Sequence, residues 1–248
     1  MISLKSGFEI AKVKDKKDKS IDTIYIKDID EDMHGEKHMT DYIVKKSEHI
    51  QLSVPSKHFS MGVFGSSGVG KSFFVGQFLM EFKKKYKNTR PIYIFSPVKD
   101  DPAFTKAGAI YIKIDDSILN DPLQTHEFSN GLVVFDDLES VSKQYYPTIL
   151  NFRDKCLEVG RHDGIQTISI SHTIQGHNST KKVLNESDYV CVFPRSNMSA
   201  IQKLCANHYG FGKEDIQYIK NLGKTSRWVV IKRSYPSTII SQFEVKIV

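Results

Sequence analysis

The chain has 248 residues, 40% hydrophobic and 26% charged, a globular composition sufficient for one α/β domain with additions. Its apolar runs are too short to cross a bilayer and no signal peptide is visible, so we expect a soluble intracellular protein without a membrane span. Three widely spaced cysteines suggest neither a disulfide framework nor a metal pair. The formal net charge of +6 fits either simple solubility or an anionic partner such as nucleic acid.

Residues 1–50 are predicted to form an N-terminal extension. Lysines alternate with Asp15 and Asp18 over residues 12–19, a pattern typical of a solvated loop, a hairpin tip or an arm that touches DNA. Residues 21–26 are predicted to form a short strand, and residues 30–36 a loop.

Residues 65–72 match the phosphate-binding loop, or P-loop, pattern G-x-x-x-x-G-K-[ST] at every specified position. Its glycines can adopt positive φ, which lets successive backbone N–H groups surround phosphate oxygens. Lys71 is predicted to bind the β- and γ-phosphates, and the Ser72 hydroxyl to bind Mg²⁺. The predicted nucleotide-binding residues are therefore Gly65, Ser66, Ser67, Gly68, Val69, Gly70, Lys71 and Ser72.

The loop lies between a predicted strand and a predicted helix, which is the context that the motif requires. Short apolar runs alternate with helical patterns after it, so we expect an α/β fold with a mostly parallel sheet covered by helices on both faces. The predicted strands are 59–64, 91–95, 109–114, 132–136, 166–171, 189–193 and 227–232. The predicted helices are 71–86, 147–159, 180–185, 197–208 and 213–222.

Residues 132–137 form an apolar run that ends in Asp136 and Asp137, a Walker B pattern. A buried strand of this kind delivers a carboxylate to the carboxyl edge of the sheet, where ligands bind in open α/β folds. Asp136 is predicted to hold Mg²⁺. Asp137 is predicted to orient the attacking water and accept its proton, with Glu139 as the alternative base.

Two further segments carry candidate catalytic groups. The strand at 166–171 ends in polar residues, and Ser171 or His172 is predicted to lie near the γ-phosphate as a sensor of hydrolysis. For His172 the alternative is a hydrogen-bonded loop histidine. Arg161, flanked by Gly160 and Gly164, is predicted to act as an arginine finger on a neighbouring subunit. The competing candidates are Arg153, Arg195, Arg227 and Arg233, and Arg161 could instead complement its helix dipole.

In this order, the P-loop, the paired acids, Gly160-Arg161-His162 and the strand ending at His172 resemble the poxvirus-type genome-packaging ATPases. These belong to large DNA viruses, virophages and polinton-like elements, within the FtsK–HerA superfamily. The resemblance covers roughly residues 58 to 235, and residues 51–248 are accordingly assigned to a P-loop ATPase domain. The family often has Gln at the position of His172, and His can also donate a hydrogen bond to phosphate.

The resemblance implies a RecA-like core that binds ATP and Mg²⁺ and assembles as a homo-oligomeric ring. It further implies double-stranded DNA as substrate, a capsid vertex or portal-like protein as partner, and a location in the virion and the host-cell cytoplasm (virus factory). By this resemblance, Lys71 binds phosphate, and Ser72 and Asp136 bind the metal ion. Asp137 is the catalytic acid, and Arg161 is the arginine finger.

DNA would be gripped by lysines and arginines on loops, for which residues 115–130 and 172–182 are candidates. Lys181 and Lys182 fit this role, or that of a solvated helix end. Two other functions remain open: a P-loop nucleotide kinase, and a non-hydrolysing, nucleotide-gated assembly protein.

Overall fold

The computed structural model describes residues 1–27, 39–174 and 178–248. The chain divides into two units, one of Met1–Ser56 with Cys191–Val248 and the other of Lys57–Val190. All predicted site residues fall in the second unit, whereas the predicted loop at 30–36 lies outside the described residues. Within the described ranges, no helix combines the length and apolarity that crossing a bilayer requires.

Parallel strands form the sheet of the second unit, in the order β6-β10-β9-β7-β8. Strands β6, β9 and β10 are buried at every residue, as expected of parallel strands with helices on both faces. The α/β prediction is therefore confirmed. The strands are β6 (Ser60–Phe64), β7 (Ile92–Phe95), β8 (Ile110–Tyr111), β9 (Leu132–Asp136) and β10 (Gln166–Ser171). The helices are α1 (Lys71–Lys85), α2 (Pro102–Thr105), α3 (Ser117–Asn120), α4 (Tyr146–Val159) and α5 (Asn178–Glu186).

The strand register places several polar residues at one edge of this sheet. Ser171 pairs with Phe64, Ile170 with Asp136, and Phe95 with Phe135. Because the strands are parallel, the residues that follow each of them emerge together at the carboxyl edge. The P-loop follows β6 directly, so phosphate-binding backbone and carboxylates share this edge.

Aromatic rings pack together next to the carboxyl edge of this sheet. The Phe95 and Phe135 rings stack with centroids 5.2 Å apart, and Phe152 of α4 packs against both, at 5.4 Å and 5.9 Å. These rings are buried in a continuous apolar cluster. Phe95 directly precedes Ser96, and Phe135 directly precedes Asp136. The packed core therefore fixes the backbone from which these two polar side chains extend.

The first unit is built from antiparallel strands. Its N-terminal sheet has the order β1-β3-β2-β5, and a second set pairs in the order β4-β14-β13-β12. The lysine-rich segment forms the tip of the β2–β3 hairpin, where Asp15 and Lys19 share a backbone hydrogen bond of 3.0 Å. The strands are β1 (Ile2–Ser3), β2 (Phe8–Lys14), β3 (Ser20–Ile26), β4 (Asp41–Ile43), β5 (His49–Leu52), β12 (Val229–Lys232), β13 (Thr238–Ser241) and β14 (Glu244–Ile247). Helices α6 (Met198–Tyr209) and α7 (Lys213–Leu222) belong to this unit, and β11 (Tyr189–Val192) contains the boundary between the units.

Candidate nucleotide-binding site

The P-loop is shaped by two glycines in the left-handed region. Gly68 has φ 75° and Gly70 has φ 106°, values that side chains with a Cβ rarely adopt. Gly65 is not among the positive-φ glycines, so the expected conformation holds for two of the three. Instead, the Gly65 N–H donates to the Ser171 carbonyl at 3.2 Å. This bond ties the start of the loop to the end of β10.

Helix α1 begins at Lys71 and directs its N-terminus into the loop. Its first backbone bonds include one from the Phe74 N–H to the Gly70 carbonyl, at 3.0 Å. The N–H groups of Lys71, Ser72 and Phe73 come before this bond, in the part of a helix where backbone N–H groups have no partner within the helix. The described residues provide no side-chain cap at Gly70. An uncapped N-terminus with outward N–H groups attracts anions.

Lys71 is buried, with 8% of its surface exposed. Its Nζ donates to the carbonyl oxygens of Gly65 at 2.7 Å and Ser66 at 3.0 Å. It also lies 3.1 Å from Nδ1 of His172. Burial lowers the pKa of Lys71, opposed by the nearby charge of Asp136. The ammonium group thus lies within the loop, where it donates to carbonyl oxygens that phosphate oxygens can replace.

Asp136 is a buried carboxylate at the end of β9. The Ser96 hydroxyl, which follows β7, donates to its Oδ2 at 3.1 Å. Burial raises the pKa of Asp136 to about 6, although the Ser96 bond favours the ionised form. A desolvated anion of this kind is stabilised by a bound cation. Sequence reasoning missed Ser96, whose only signal was a polar residue directly after an apolar strand.

Asp137 has a left-handed backbone, with φ 48°, a conformation that Asp tolerates better than most residues. The Ser140 hydroxyl donates to its Oδ2 at 2.8 Å. Its Oδ1 lies 3.1 Å from Nε2 of His172. The two groups are not aligned for a hydrogen bond, so this buried oxygen has no hydrogen-bond donor within the described residues. It is an acceptor still available to a ligand or a water.

His172 stands between the lysine and this carboxylate. Because an ammonium group only donates, Nδ1 of His172 is the acceptor toward Lys71, which assigns the proton of a neutral ring to Nε2. That nitrogen faces Asp137. The imidazole therefore contacts the phosphate-binding lysine through Nδ1 and lies next to the second acid of the Walker B pair without a hydrogen bond to it.

Glu139, the alternative base, has a different environment. Its Oε1 accepts a short hydrogen bond from the Ser171 hydroxyl. The residue is exposed and lies in the turn that follows Asp137. One oxygen of its carboxylate is thus bound at the end of β10. Glu139 is not among the residues that line the nucleotide cleft, whereas Asp137 is.

These groups surround one cleft of about 310 Å³. Its lining brings together Ser67, Gly68, Gly70, Lys71, Ser72, Asp136, Asp137 and His172 from the predicted set. Phe73, Val98, Asp101, Ile170 and Ser171 complete it. The loop, the two acids and the histidine, though distant in sequence, therefore meet in space.

Arg161 does not lie in this cleft. It belongs to the turn Gly160–Asp163 that precedes β10, and the Asp163 carbonyl accepts a hydrogen bond from Asn130, just before β9, at 2.9 Å. Arg161 is therefore at the amino edge of the sheet. The six residues of β10 separate that edge from the cleft by roughly 20 Å. The exposed guanidinium therefore lies too far from the P-loop of its own chain to contact phosphates bound there.

Most of the competing arginines have partners within the chain. Arg153 is buried and donates to Asp154 and to the Ser179 carbonyl. Arg195 donates to the Gly223 and Lys224 carbonyls, and Arg233 lies 5.3 Å from the Tyr209 ring centroid. Arg227 is exposed, as Arg161 is.

Of the two lysines considered for DNA, Lys182 contacts α4. Its Nζ lies 2.6 Å from Glu158 and 3.7 Å from Asp154. Lys181 is exposed. Residues 175–177, in the same candidate loop, lie outside the described residues.

Known proteins resemble this chain in sequence and in structure. No protein-family model matches the chain. An uncharacterised protein V3 of Sputnik virophage is 28% identical over 205 residues, covering 82% of each chain. The genome-packaging NTPase B204 of Sulfolobus turreted icosahedral virus 2, in complex with AMPPCP, has a similar structure with TM-score 0.51 and 13% identity, covering 75% of this chain and 97% of that one.

A second solved structure is the pCW3 conjugation coupling protein TcpA with ATPγS, at TM-score 0.50 and 12% identity. The match covers 84% of this chain and 67% of TcpA. At such identities the likeness concerns the fold, and it confirms the predicted P-loop NTPase architecture. In fold this chain resembles the viral genome-packaging NTPases, the group to which its sequence motifs pointed.

Proposed function

We propose that this chain is an ATPase that drives double-stranded DNA into a viral capsid. One observation carries the proposal: a P-loop, a buried lysine and two Walker B acids line the same cleft. This arrangement supports nucleotide hydrolysis, because it combines a phosphate cradle with a carboxylate that has a free acceptor oxygen.

ATP binding begins with an exchange of partners at Lys71. In the structure its ammonium group is held by two loop carbonyls and His172. Phosphate oxygens carry more negative charge than carbonyls, so the lysine binds them more strongly. Loop N–H groups and the α1 N-terminus add further donors. A nucleoside triphosphate thus replaces the contacts that Lys71 makes with carbonyl groups of its own loop.

The donor set also fits Mg²⁺. Ser72 and Asp136 line the cleft and offer the hard oxygen ligands that this ion prefers. Burial raises the pKa of Asp136 although Lys71 is nearby, as expected of a desolvated carboxylate that a bound cation would stabilise. When bound, Mg²⁺ would neutralise charge on the β- and γ-phosphates. Ser96 would keep Asp136 oriented through its bond to Oδ2.

In the hydrolytic step, water attacks the γ-phosphorus, Asp137 accepts the water's proton, and ADP leaves. Ser140 fixes one oxygen of Asp137 and leaves the other without a donor. Asp137 also lines the cleft and Glu139 does not, which favours Asp137 over Glu139 as the base. Once Lys71 turns to phosphate, His172 Nδ1 loses its donor. His172 can then respond to the presence of the γ-phosphate and to Asp137 together.

The position of Arg161 supports action between subunits. A finger at the amino edge of the sheet serves only a neighbour's cleft, which requires an oligomer such as a ring. DNA as substrate is supported by the net charge of +6 and by the likeness to a packaging NTPase. A capsid vertex or portal-like partner, and action in the virion and virus factory, complete the proposal.

Phosphate release, measured with and without double-stranded DNA, tests the function. We expect slow release alone, DNA stimulation that weakens as salt rises, and loss of both in Lys71→Ala. Turnover that depends on a nucleotide acceptor and ignores DNA would identify a kinase instead. ATP binding without turnover would identify a nucleotide-gated assembly protein.

A further inference from the structure

Phe73 is an aromatic residue exposed at the nucleotide cleft. It is the third residue of α1 and lines the cleft, with 61% of its surface exposed. The phenylalanines that follow it on this helix, Phe74, Phe78 and Phe82, are at most 4% exposed. An exposed phenylalanine has no role in the core, so its position next to a ligand site is informative.

The position of Phe73 relative to the phosphate cradle is fixed by the chain. It directly follows Lys71, whose Nζ is in the loop, and Ser72, the predicted metal ligand. Its own N–H belongs to the open first turn of α1. Phosphates held by these N–H groups would lie beside the Phe73 backbone.

The remainder of a nucleotide must then extend toward open solvent. The buried part of the cleft lining includes Ile170 and Asp136, 2% and 8% exposed, with Asp137 next to Asp136 in the chain. A base directed toward those carboxylates would displace the catalytic water and metal. The exposed apolar residues of the lining are Phe73 and Val98, at 61% and 52%, and of these two Phe73 carries the aromatic ring.

We propose that Phe73 is the surface on which the nucleotide base stacks, a subsite for a purine ring. The inference rests on the proposed nucleotide-binding function and adds the recognition of the base. An aromatic ring recognises the faces of a base and not its hydrogen-bonding edge, and it stacks more strongly on larger rings. Purine triphosphates therefore bind more tightly than pyrimidine triphosphates at this site.

Calorimetric binding of a non-hydrolysable ATP analogue and of inorganic tripolyphosphate separates the two halves of the ligand. Phe73→Ala weakens binding of the analogue by about 5- to 150-fold, the range of base–aromatic stacking. Tripolyphosphate binding stays within about twofold, because the loop is unchanged. Met80→Ala is the matched control: Met80 is 45% exposed on the same helix and does not line the cleft, so both ligands bind as to wild type.

Phe73→Trp provides a second readout that needs no loss of binding. Its added indole fluorescence is quenched by the ATP analogue and not by tripolyphosphate. Equal effects of Phe73→Ala on both ligands, or on neither, would overturn the stacking proposal, as would quenching by tripolyphosphate. If Phe73→Ala only changed oligomer size on gel filtration, the ring would instead belong to a subunit contact. Failure of the wild type to bind either ligand would remove the proposed function itself.

Discussion

Replacing Asp136 by Asn should make the ligand-free protein more stable while removing its activity. The carboxylate is 8% exposed, and burial raises its pKa from 3.8 to about 6. Ionised Asp136 therefore destabilises the folded chain when no cation is bound. Asn has nearly the same shape, carries no charge and can still accept the Ser96 bond.

The effect has a defined size and pH dependence. A pKa difference of about two pH units corresponds to about 3 kcal/mol, fully expressed above pH 6. Between pH 3.8 and 6 the folded state binds more protons than the unfolded state, so rising pH lowers the stability of the wild type. We expect Asn to raise the free energy of unfolding by up to about 3 kcal/mol at pH 8, and by about half of that at pH 5.

Thermal unfolding in EDTA, without nucleotide, measures this directly. For a chain of this size, about 3 kcal/mol corresponds to a rise in Tm of roughly 6–12 °C. The pKa of about 6 already includes the attraction between Asp136 and Lys71, which lowers it. Ser96→Ala is a useful companion, since losing its bond to Asp136 should lower Tm at pH 8. An Asn variant that melts at or below wild type at pH 8, or a difference independent of pH, would refute the reasoning.

Three further predictions concern turnover. Asp137→Asn should reduce phosphate release by at least about 100-fold with nucleotide binding retained, and Glu139→Gln by only a few-fold; the reverse order would make Glu139 the base. His172→Ala should slow release by roughly 100-fold, while His172→Gln keeps most activity because Gln can still donate; equal losses would exclude a donor role. Mixing Arg161→Ala with Lys71→Ala protein should restore part of the activity, whereas proven mixed oligomers without rescue would count against a finger.

The P-loop and the strands around it could be predicted because their signals are local. Buried parallel strands read as apolar runs, and the predicted bounds of β9 and β10 agree with the structure. The prediction failed at β8, expected over residues 109–114 and observed at Ile110–Tyr111. This edge strand pairs with β7 alone, so its extent depends on a neighbour and not on its own apolar residues.

The acids and the histidine of the site were predictable from charge at strand ends, whereas the hydroxyls that hold them were not. Ser96 and Ser140 are common, uncharged residues whose importance comes from bonds to carboxylates, distant in sequence for Ser96 and across a turn for Ser140. The contact of His172 with both Lys71 and Asp137 likewise depends on strand order. The roles given to the site residues, and the boundary of the N-terminal extension at residue 50, stay predictions.

The central claim is that ATP hydrolysis in this cleft moves the protein along double-stranded DNA. Displacement of a triplex-forming strand from a duplex tests it directly, because only a translocating protein removes that strand without melting the duplex. We expect displacement that requires ATP and is absent in Lys71→Ala. Robust ATP hydrolysis with no displacement, or displacement by Lys71→Ala equal to that of the wild type, would contradict the account.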